Sequence, residues 1–151
     1  MRRKDREQSR EFALSVIDSC EFASLACLNA DGTPYCVPLS IAREGDALYF
    51  HCAAEGQKLD NIGKNPQVCI SFVSESTPNE QTYSVKYASA IVTGSAHVIT
   101  DDAQRRDALR LICARFAPSN PGPVEAYIDK YFARTCVVRV DIESITGKSN
   151  T

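Results

Sequence analysis

The chain has 151 residues, of which 44% are hydrophobic and 24% charged, and its formal net charge is −2. These proportions are typical of a globular protein, and no apolar run approaches the roughly 18 residues that a membrane-spanning helix requires. The basic residues are scattered and form no stripe interleaved with aromatic residues, which a protein that follows a nucleic-acid backbone would have. We therefore expect one domain over residues 1–151 that binds neither a membrane nor a nucleic acid.

The N-terminal residues MRRKDREQSR are charged and lack the apolar segment of a secretory signal, which favours a cytoplasmic protein. The seven cysteines are an odd number without a C-x-x-C pair, so we interpret them as reduced residues of the core. Only the neighbouring His51 and Cys52 come near the ligand spacing of a zinc site, and we predict no metal.

The first predicted elements are a helix and three strands. The helix covers residues 5–18, where Phe12, Val16 and Ile17 recur at helical spacing. Residues 21–53 are predicted to form a β-meander with two tight turns, DG and EGD, that carry residues preferred in hairpins. The strands are apolar on both faces, as the segment FASLACL shows, so one face needs a second layer.

The remainder of the chain is predicted to alternate helices with strands. The predictions are a helix at 59–64 and strands at 68–74 and 83–99 around the polar loop SESTPNEQ. After them we predict a helix capped by Asp101 and Asp102 that runs to about Phe116, a helix at 124–131 and a last strand TCVVRVDIESI. We expect the long strand to bend at Gly94 and GKSNT to be a frayed tail. Six antiparallel strands, mostly too apolar for an open sheet, predict a mainly β fold: a small barrel closed on itself with helices outside.

The segment LYFHCAAEGQKLDNIGKNP, residues 48–66, runs from an apolar strand through a small-residue turn into a helix whose first turn carries Lys58. Helix-start amides carry partial positive charge, so a lysine beside them is disfavoured by roughly 0.3–1 kcal/mol unless an anion lies between. Two interpretations stay open from this segment alone: a lysine that binds an anion, or a surface lysine in contact with solvent.

Four motifs occur in order along the chain: GTPYCVPLS, LYFHCAAEGQKLDNIGKNPQVCISF, YASAIVTGSAHVI and VVRVDIESITGK. Together they resemble the FMN-binding split-barrel superfamily of pyridoxamine 5′-phosphate oxidase-like proteins. They are most similar to its nitroimidazole-resistance branch, whose members pair a His-small-small strand end with a G-x-K helix start and finish on T-G-K. The resemblance covers nearly the whole chain.

The resemblance implies a homodimer of six-stranded antiparallel split barrels, with FMN in two clefts between the subunits. Lys58 would then neutralise the FMN phosphate, assisted by helix-start amides near Glu55 and Gly56. The other implied flavin contacts are Val37, Pro38, Leu39 and Ser40 along the ring, His51, Cys52 and Ala53 beside the ring or phosphate, and the Ser89 hydroxyl on the phosphate. Pro38 independently favours an unpaired edge, since proline cannot donate to a ladder.

Strand alternation places His51 on the face opposite Leu48 and Phe50, so we expect its imidazole to point away from the barrel interior. The titration range of histidine suits proton transfer to a substrate or to the flavin, which makes His51 the candidate catalytic residue. A structural or cofactor hydrogen bond is the alternative role.

The function implied by the resemblance is an FMN-dependent oxidoreductase that passes electrons from a reduced carrier to a small flat acceptor such as a nitroaromatic. The tail RVDIESITGK does not match the arginine-rich C-terminal motif of the pyridoxamine-phosphate oxidases proper, which argues against vitamin B6 chemistry. The alternative is a non-catalytic protein that stores or senses flavin or haem, and a cleft that prefers a deazaflavin stays open as well.

Overall fold

The computed structural model describes residues 2–150, which form an eight-stranded antiparallel sheet with four flanking α-helices. The strands are Glu7–Gln8 (β1), Ala23–Leu28 (β2), Pro34–Leu39 (β3), Ala42–Glu44 (β4), Ala47–Ala53 (β5), Gln67–Asn79 (β6), Ser84–Val98 (β7) and Thr135–Asn150 (β8). The helices are Arg10–Ser19 (α1), Gln57–Lys64 (α2), Asp102–Phe116 (α3) and Val124–Tyr131 (α4). This architecture confirms the predicted mainly β fold with helices outside the sheet.

The sheet is open and strongly curved. Its strand order is β3-β2-β6-β7-β8-β5-β4, and β1 joins the C-terminal part of β8. Within residues 2–150 the edge strands β3 and β4 do not pair with each other, although only Ser40 and Ile41 separate them along the chain. The sheet therefore has to curl until its two edges nearly meet, which gives a barrel that is split along one side.

Two expectations about the sheet are wrong: it has eight strands instead of six, and it is not closed on itself. The predicted β-meander is also interrupted, because the chain changes partners at Ser40 and Ile41. On one side of this break β3 pairs with β2, and on the other side β4 forms a hairpin with β5. Pro38 lies just before the break and has no N–H with which to extend a second ladder.

The inside of the curled sheet holds the main core. Its largest fully buried side chains include Phe50, Phe72, Leu25, Leu48, Ile70 and, from α1, Ile17. A smaller cluster lies outside the sheet, where Val137 of β8 packs with Leu109 of α3 and Ile128 of α4. Since β8 contributes to both clusters, its residues Val137 and Val138 are fully buried on opposite faces.

Capping residues set the helix boundaries. The first helix begins at Arg10, later than expected, because the Ser9 hydroxyl accepts a backbone hydrogen bond of 3.2 Å there, and β1 pairs with β8 just before it. The helix α3 follows its predicted cap Asp101, whose side chain accepts a backbone hydrogen bond of 2.9 Å, and it ends at Phe116 as predicted. The helix α4 also has its predicted bounds. No helix between residues 2 and 150 is long and apolar enough to cross a membrane.

The strands β6 and β7 form a long hairpin whose last three rungs lie beyond the ladder with β8. The predicted loop SESTPNEQ is therefore wrong, because most of it belongs to β6. The expected bend lies where the ladder between β7 and β8 shifts register, between Thr93 and Gly94. A Cβ at Gly94 would overlap the carbonyl oxygen of Asp141, so only glycine permits this approach of the two strands.

The C-terminal tail is part of the sheet. The strand β8 pairs with β7 and β1 and ends at Asn150, so the frayed tail is wrong up to that residue, while Thr151 lies outside the described residues. A Cβ at Gly147 would lie 3.1 Å from the side chains of Phe12 and Ala13. The glycine of the T-G-K motif therefore lets α1 pack closely on the sheet.

Candidate functional site

The candidate site is the split between β3 and β5. The strand β3 pairs only with β2, and residues 50–53 pair only with β8, so within residues 2–150 no ladder satisfies the edges that these strands turn to each other. Unpaired backbone N–H and C=O groups need water or a ligand as partner. The predicted flavin contacts Val37 and Leu39 are half-buried on this edge strand, Pro38 is exposed, and the exposed Ser40 directly follows it.

Packing holds the two sides of the split near each other. Leu39 from β3, Cys52 from β5 and Leu59 from α2 all pack against the same core cluster. The end of β5 and the start of α2 lie together, since the charge of Lys58 acts on Cys52, and β3 borders the other side of the split. Ala53, the last residue of β5, is exposed there, and its methyl group leaves room for a close approach.

The start of α2 offers free amides. Gly56 precedes the helix with a φ of 136°, which favours glycine, and no side chain caps the helix. The first amides of an α-helix have no acceptor within the helix, so those of Gln57 and Lys58 are available to a ligand. Together with the partial positive charge of the helix start, these amides suit an anion.

Lys58 is half-buried and takes part in none of the ion pairs found between residues 2 and 150. The pKa of the Cys52 thiol is raised to about 11, first by burial and then by the neighbouring Cys136, while the positive charge of Lys58 opposes this rise. The lysine ammonium group is therefore close enough to act on Cys52, which places it beside the end of β5.

His51 is exposed, and it lies on the face opposite Leu48 and Phe50, both of which are fully buried. The alternation expected for β5 is therefore confirmed. The cross-strand neighbour of His51 is Val137, which belongs to the cluster beneath α3. His51 and Cys52 consequently point to opposite faces of β5, so the two side chains do not meet at one ligand atom.

Ser89 lies far from Lys58 within one chain. Along β8, the partner of Ser89 is Lys148 and the partner of Cys52 is Cys136, and these positions are about 40 Å apart along the strand at ~3.3 Å per residue. The Ser89 hydroxyl donates instead to the backbone carbonyl of Lys148, at 3.4 Å. Within one subunit the Ser89 hydroxyl is therefore bonded to the C-terminal part of β8, whereas Lys58 lies beside the residue that pairs with its N-terminal part.

A second cationic cluster surrounds Ser89. The Lys148 ammonium lies 5.3 Å from the centre of the Tyr87 ring and the Arg6 guanidinium 6.0 Å from it, and Arg6 donates to the Tyr87 hydroxyl at 3.4 Å. Desolvation by itself would raise the pKa of Tyr87, but hydrogen bonds from Arg6 and Lys148 outweigh it and lower that pKa. The basic residue of the T-G-K motif thus lies on the outer face of the sheet.

Buried Asn61 fixes α2 against the barrel. It is 4% exposed, and its side-chain nitrogen donates to the Asn29 side-chain oxygen at 2.9 Å and contacts the Cys27 sulfur at 3.5 Å. Gln57 donates to the same Asn29 oxygen at 2.8 Å. An open polar cavity of about 480 Å³ lies beside these carboxamides. They position the start of α2 and, with it, Lys58.

Three of these features were missed from the sequence. The thiol of Cys136 faces Cys52, Asn61 anchors α2, and Tyr87 shares its ring with two cations. Among these residues only Lys148 had a sequence signal, the T-G-K motif. The contacts of Cys136, Asn61 and Tyr87 depend on which strands and helices that are distant in sequence lie side by side. Between residues 2 and 150 no group of three or more His, Cys, Asp or Glu side chains is arranged to hold a metal ion.

Known proteins share both sequence and shape with this chain. A family model described as pyridoxamine 5′-phosphate oxidase matches residues 9–149. An uncharacterised protein from Rhizobium meliloti (strain 1021) is 36% identical over 89 residues, which cover 59% of this chain and 54% of that protein. The chain thus spans about half the length of this curated relative.

Two solved structures extend the comparison. A candidate 5-nitroimidazole antibiotic resistance protein from Bacteroides thetaiotaomicron is 26% identical, with a TM-score of 0.78 over 93% of this chain and 84% of that one. A protein from Mycobacterium smegmatis described as FAD and haem binding is 24% identical, with a TM-score of 0.79 over 96% of this chain and 73% of that one. The second likeness shows a shared fold.

Proposed function

The chain belongs to the pyridoxamine 5′-phosphate oxidase family, and from this premise we propose that it binds FMN at the split of its barrel and acts as an FMN-dependent oxidoreductase. The observation that carries the proposal is the meeting of an unpaired strand edge, an uncapped helix start and Lys58 at one opening. A flavin ring needs hydrogen-bonding partners along its polar edge, and its phosphate needs cations and amides, so the opening fits both parts.

The phosphate belongs at the start of α2. Lys58 offers a positive charge there, and the first amides of the helix offer N–H donors. Each hydrogen bond to a charged group stabilises by about 1.5–3 kcal/mol, which exceeds the ~0.3–1 kcal/mol by which the helix start disfavours a lysine. A bound phosphate therefore accounts for a cation at this position.

The ring belongs along β3, beside Val37, Pro38, Leu39 and Ser40, where backbone groups of an edge strand are free to pair with it. Bound flavin supplies the electron-transfer chemistry, and the chain supplies position and electrostatics. His51 lies exposed at the same end of β5, and we assign its imidazole the transfer of a proton to the acceptor.

The proposed acceptor is a small flat molecule such as a nitroaromatic, reduced with electrons from a nicotinamide or similar carrier. This choice is supported by the 26% identity to the Bacteroides protein described as a candidate 5-nitroimidazole resistance protein. The tail RVDIESITGK has a single arginine, which favours this acceptor over a phosphorylated vitamin B6 substrate.

The proposed assembly is a homodimer, supported by an outer sheet face whose central side chains are uncharged, with Lys148 at its edge opposite Ser89. The residues of this face are Cys69, Ser71 and Val73 of β6, Ser89, Ile91 and Thr93 of β7, and Ser144 and Thr146 of β8. Val73 is 51% exposed and Ile91 40%, and paired subunits would bury both. Ser89 lies on this face, so any contact between Ser89 and a phosphate near Lys58 comes across the interface.

An anaerobic titration tests the proposed function. FMN is added to the purified chain, then NADH or NADPH, then a nitroimidazole, while the flavin spectrum is followed. We expect FMN to bind, to be reduced by the carrier, and to be reoxidised by the nitro compound. Failure to bind FMN would contradict the cofactor assignment, and bound flavin that neither donor nor acceptor changes would contradict the oxidoreductase.

A second candidate function is storage or sensing of flavin or haem without turnover. The likeness in fold to the Mycobacterium smegmatis protein described as FAD and haem binding favours it. His51 and Cys52 point to opposite faces of β5, so only one of them could serve as an axial ligand of the same haem. Visible absorption separates the cases, because haem gives a Soret band and flavin does not.

A further inference from the structure

Two cysteine thiols face each other at the open end of the barrel. Cys52 of β5 is the direct cross-strand partner of Cys136 of β8, and the next rung, Ala53 with Thr135, is the last of this ladder. Both cysteines are half-buried. We propose that Cys52 and Cys136 form a reversible dithiol–disulfide pair beside the start of α2.

The register satisfies the geometry of a disulfide. Directly opposite residues of an antiparallel pair have Cα atoms about 4.5–5.5 Å apart, and disulfides join Cα atoms about 4.4–6.8 Å apart. The two thiols lie close enough for Cys136 to influence the ionisation of Cys52. Because the pair is one rung from the end of the ladder, the backbone can adjust to the covalent bond.

No other two cysteines are cross-strand partners within residues 2–150, a range that contains all seven. Cys36 and Cys69 both lie opposite Ala26, one on each side of β2. Two strand spacings of about 4.8 Å put them roughly 10 Å apart, beyond the ~7 Å limit for a disulfide. These two exposed cysteines would be oxidised without pairing, so the test replaces both with serine.

The chemistry assigns different roles to the two thiols. Burial, with the neighbouring Cys136, raises the pKa of Cys52 to about 11, so Cys52 keeps its proton at neutral pH. The Cys136 thiolate attacks one sulfur of a low-molecular-weight disulfide, whose S–S bond breaks and releases a thiolate. Cys52 then passes its proton to the thiolate that was released and attacks the Cys136 sulfur of the mixed disulfide. This attack expels the other half of the small disulfide as a second thiolate. Two protein thiols and one small disulfide thus become one protein disulfide and two small thiols.

This pair does not depend on the proposed flavin, because it follows from the β5–β8 register. Its location still matters for the site. Cys52 lies within the electrostatic influence of Lys58, and a cross-link to Cys136 ties the end of β5, one wall of the split, to the first rungs of β8.

The test uses the full chain with Cys36→Ser and Cys69→Ser, equilibrated in mixtures of reduced and oxidised glutathione, then acid-quenched, alkylated and mapped without reduction. We expect a peptide that links Cys52 to Cys136, lighter by two hydrogens, and its disappearance in excess reduced glutathione. Adding Cys52→Ala or Cys136→Ala should abolish the linked peptide. Separate glutathione adducts, or unmodified thiols at both positions, would overturn the proposal.

Thermal melting provides a second readout that does not depend on peptide recovery. Closing a long loop constrains the unfolded chain, so the oxidised parent protein should melt at a higher temperature than the reduced one. The Cys52→Ala variant should melt at the same temperature in both glutathione mixtures. An unchanged melting temperature of the parent in the oxidising mixture would count against the disulfide.

Discussion

Lys58 shows how one residue connects local electrostatics with a ligand. It occupies the part of α2 where a positive charge is disfavoured, and no ion pair between residues 2 and 150 compensates it. Its charge acts on Cys52 at the end of β5. The lysine is thus held beside the split, where a phosphate would relieve the unfavourable contact.

Replacing Lys58 with alanine should weaken FMN binding by about 1.5–3 kcal/mol, or roughly ten- to hundredfold in Kd, because the phosphate loses a charged donor. Lys64→Ala, at the other end of the same helix, is the matched control and should leave the affinity unchanged. Fluorescence quenching of FMN measures both. Equal affinities of Lys58→Ala and the unaltered chain would remove Lys58 from the phosphate site.

Ionisation of Cys52 should affect stability at alkaline pH. Its pKa is raised from 9.0 to about 11 in the folded chain, first by burial, so between these values the folded state binds more protons than the unfolded state. The free energy of unfolding should therefore fall as pH rises through this window, and the effect should be absent below it. Urea unfolding of Cys52→Ala should show a shallower fall, and an identical fall would contradict the burial of this thiol.

At the scale of elements, the bend in β7 has a testable cause. A Cβ at Gly94 would overlap the Asp141 carbonyl oxygen, so Gly94→Ala should destabilise the fold by at least ~1–3 kcal/mol. The control is Gly63→Ala in α2, where a Cβ would meet nothing within 4 Å. That change should be neutral or stabilise by up to ~1 kcal/mol. Chemical denaturation measures both, and equal stabilities of the two variants would contradict this account of the bend.

Elements with local signals could be predicted, and those that depend on distant partners could not. The helix α3 follows from its cap Asp101 and its apolar stripe, and α4 from the proline and glycine that precede it. The break at Ser40 and Ile41 gave no such signal, because the segments on both sides are extended and apolar. The segment before the break pairs with β2, and the segment after it pairs with β5. Because these two partners lie at opposite ends of the sheet order, the barrel is left open between them.

For the whole molecule, we propose that the central, uncharged part of the outer face of β6, β7 and β8 holds two subunits together. Ile91→Lys places a charge at the centre of this face and should convert the proposed homodimer to monomers in analytical ultracentrifugation. Tyr127→Lys, on the 60% exposed Tyr127 of α4, is the control and should remain dimeric. A dimer that survives Ile91→Lys would place the interface elsewhere.

The candidate site was only partly predictable from the sequence. The order of motifs identified β3, the end of β5 and Lys58 as parts of one site. The structure places Lys58 beside Cys52 at the end of β5 and places β3 on the facing edge of the split, and their joint role stays a prediction. Ser89 was grouped with them by resemblance, yet one chain places it about 40 Å along β8 from that opening. The position of Ser89 relative to the opening depends on strand register and on the assembly of subunits, and local residue patterns predict neither.

Amide hydrogen exchange with and without FMN tests the central claim most directly, because it reports where the ligand lies. If FMN occupies the split, exchange should slow at residues 34–40 and 51–59, while residues 124–131 of α4 should be unchanged. Protection confined to other segments, or none at saturating FMN, would contradict the placement of the flavin between β3 and β5.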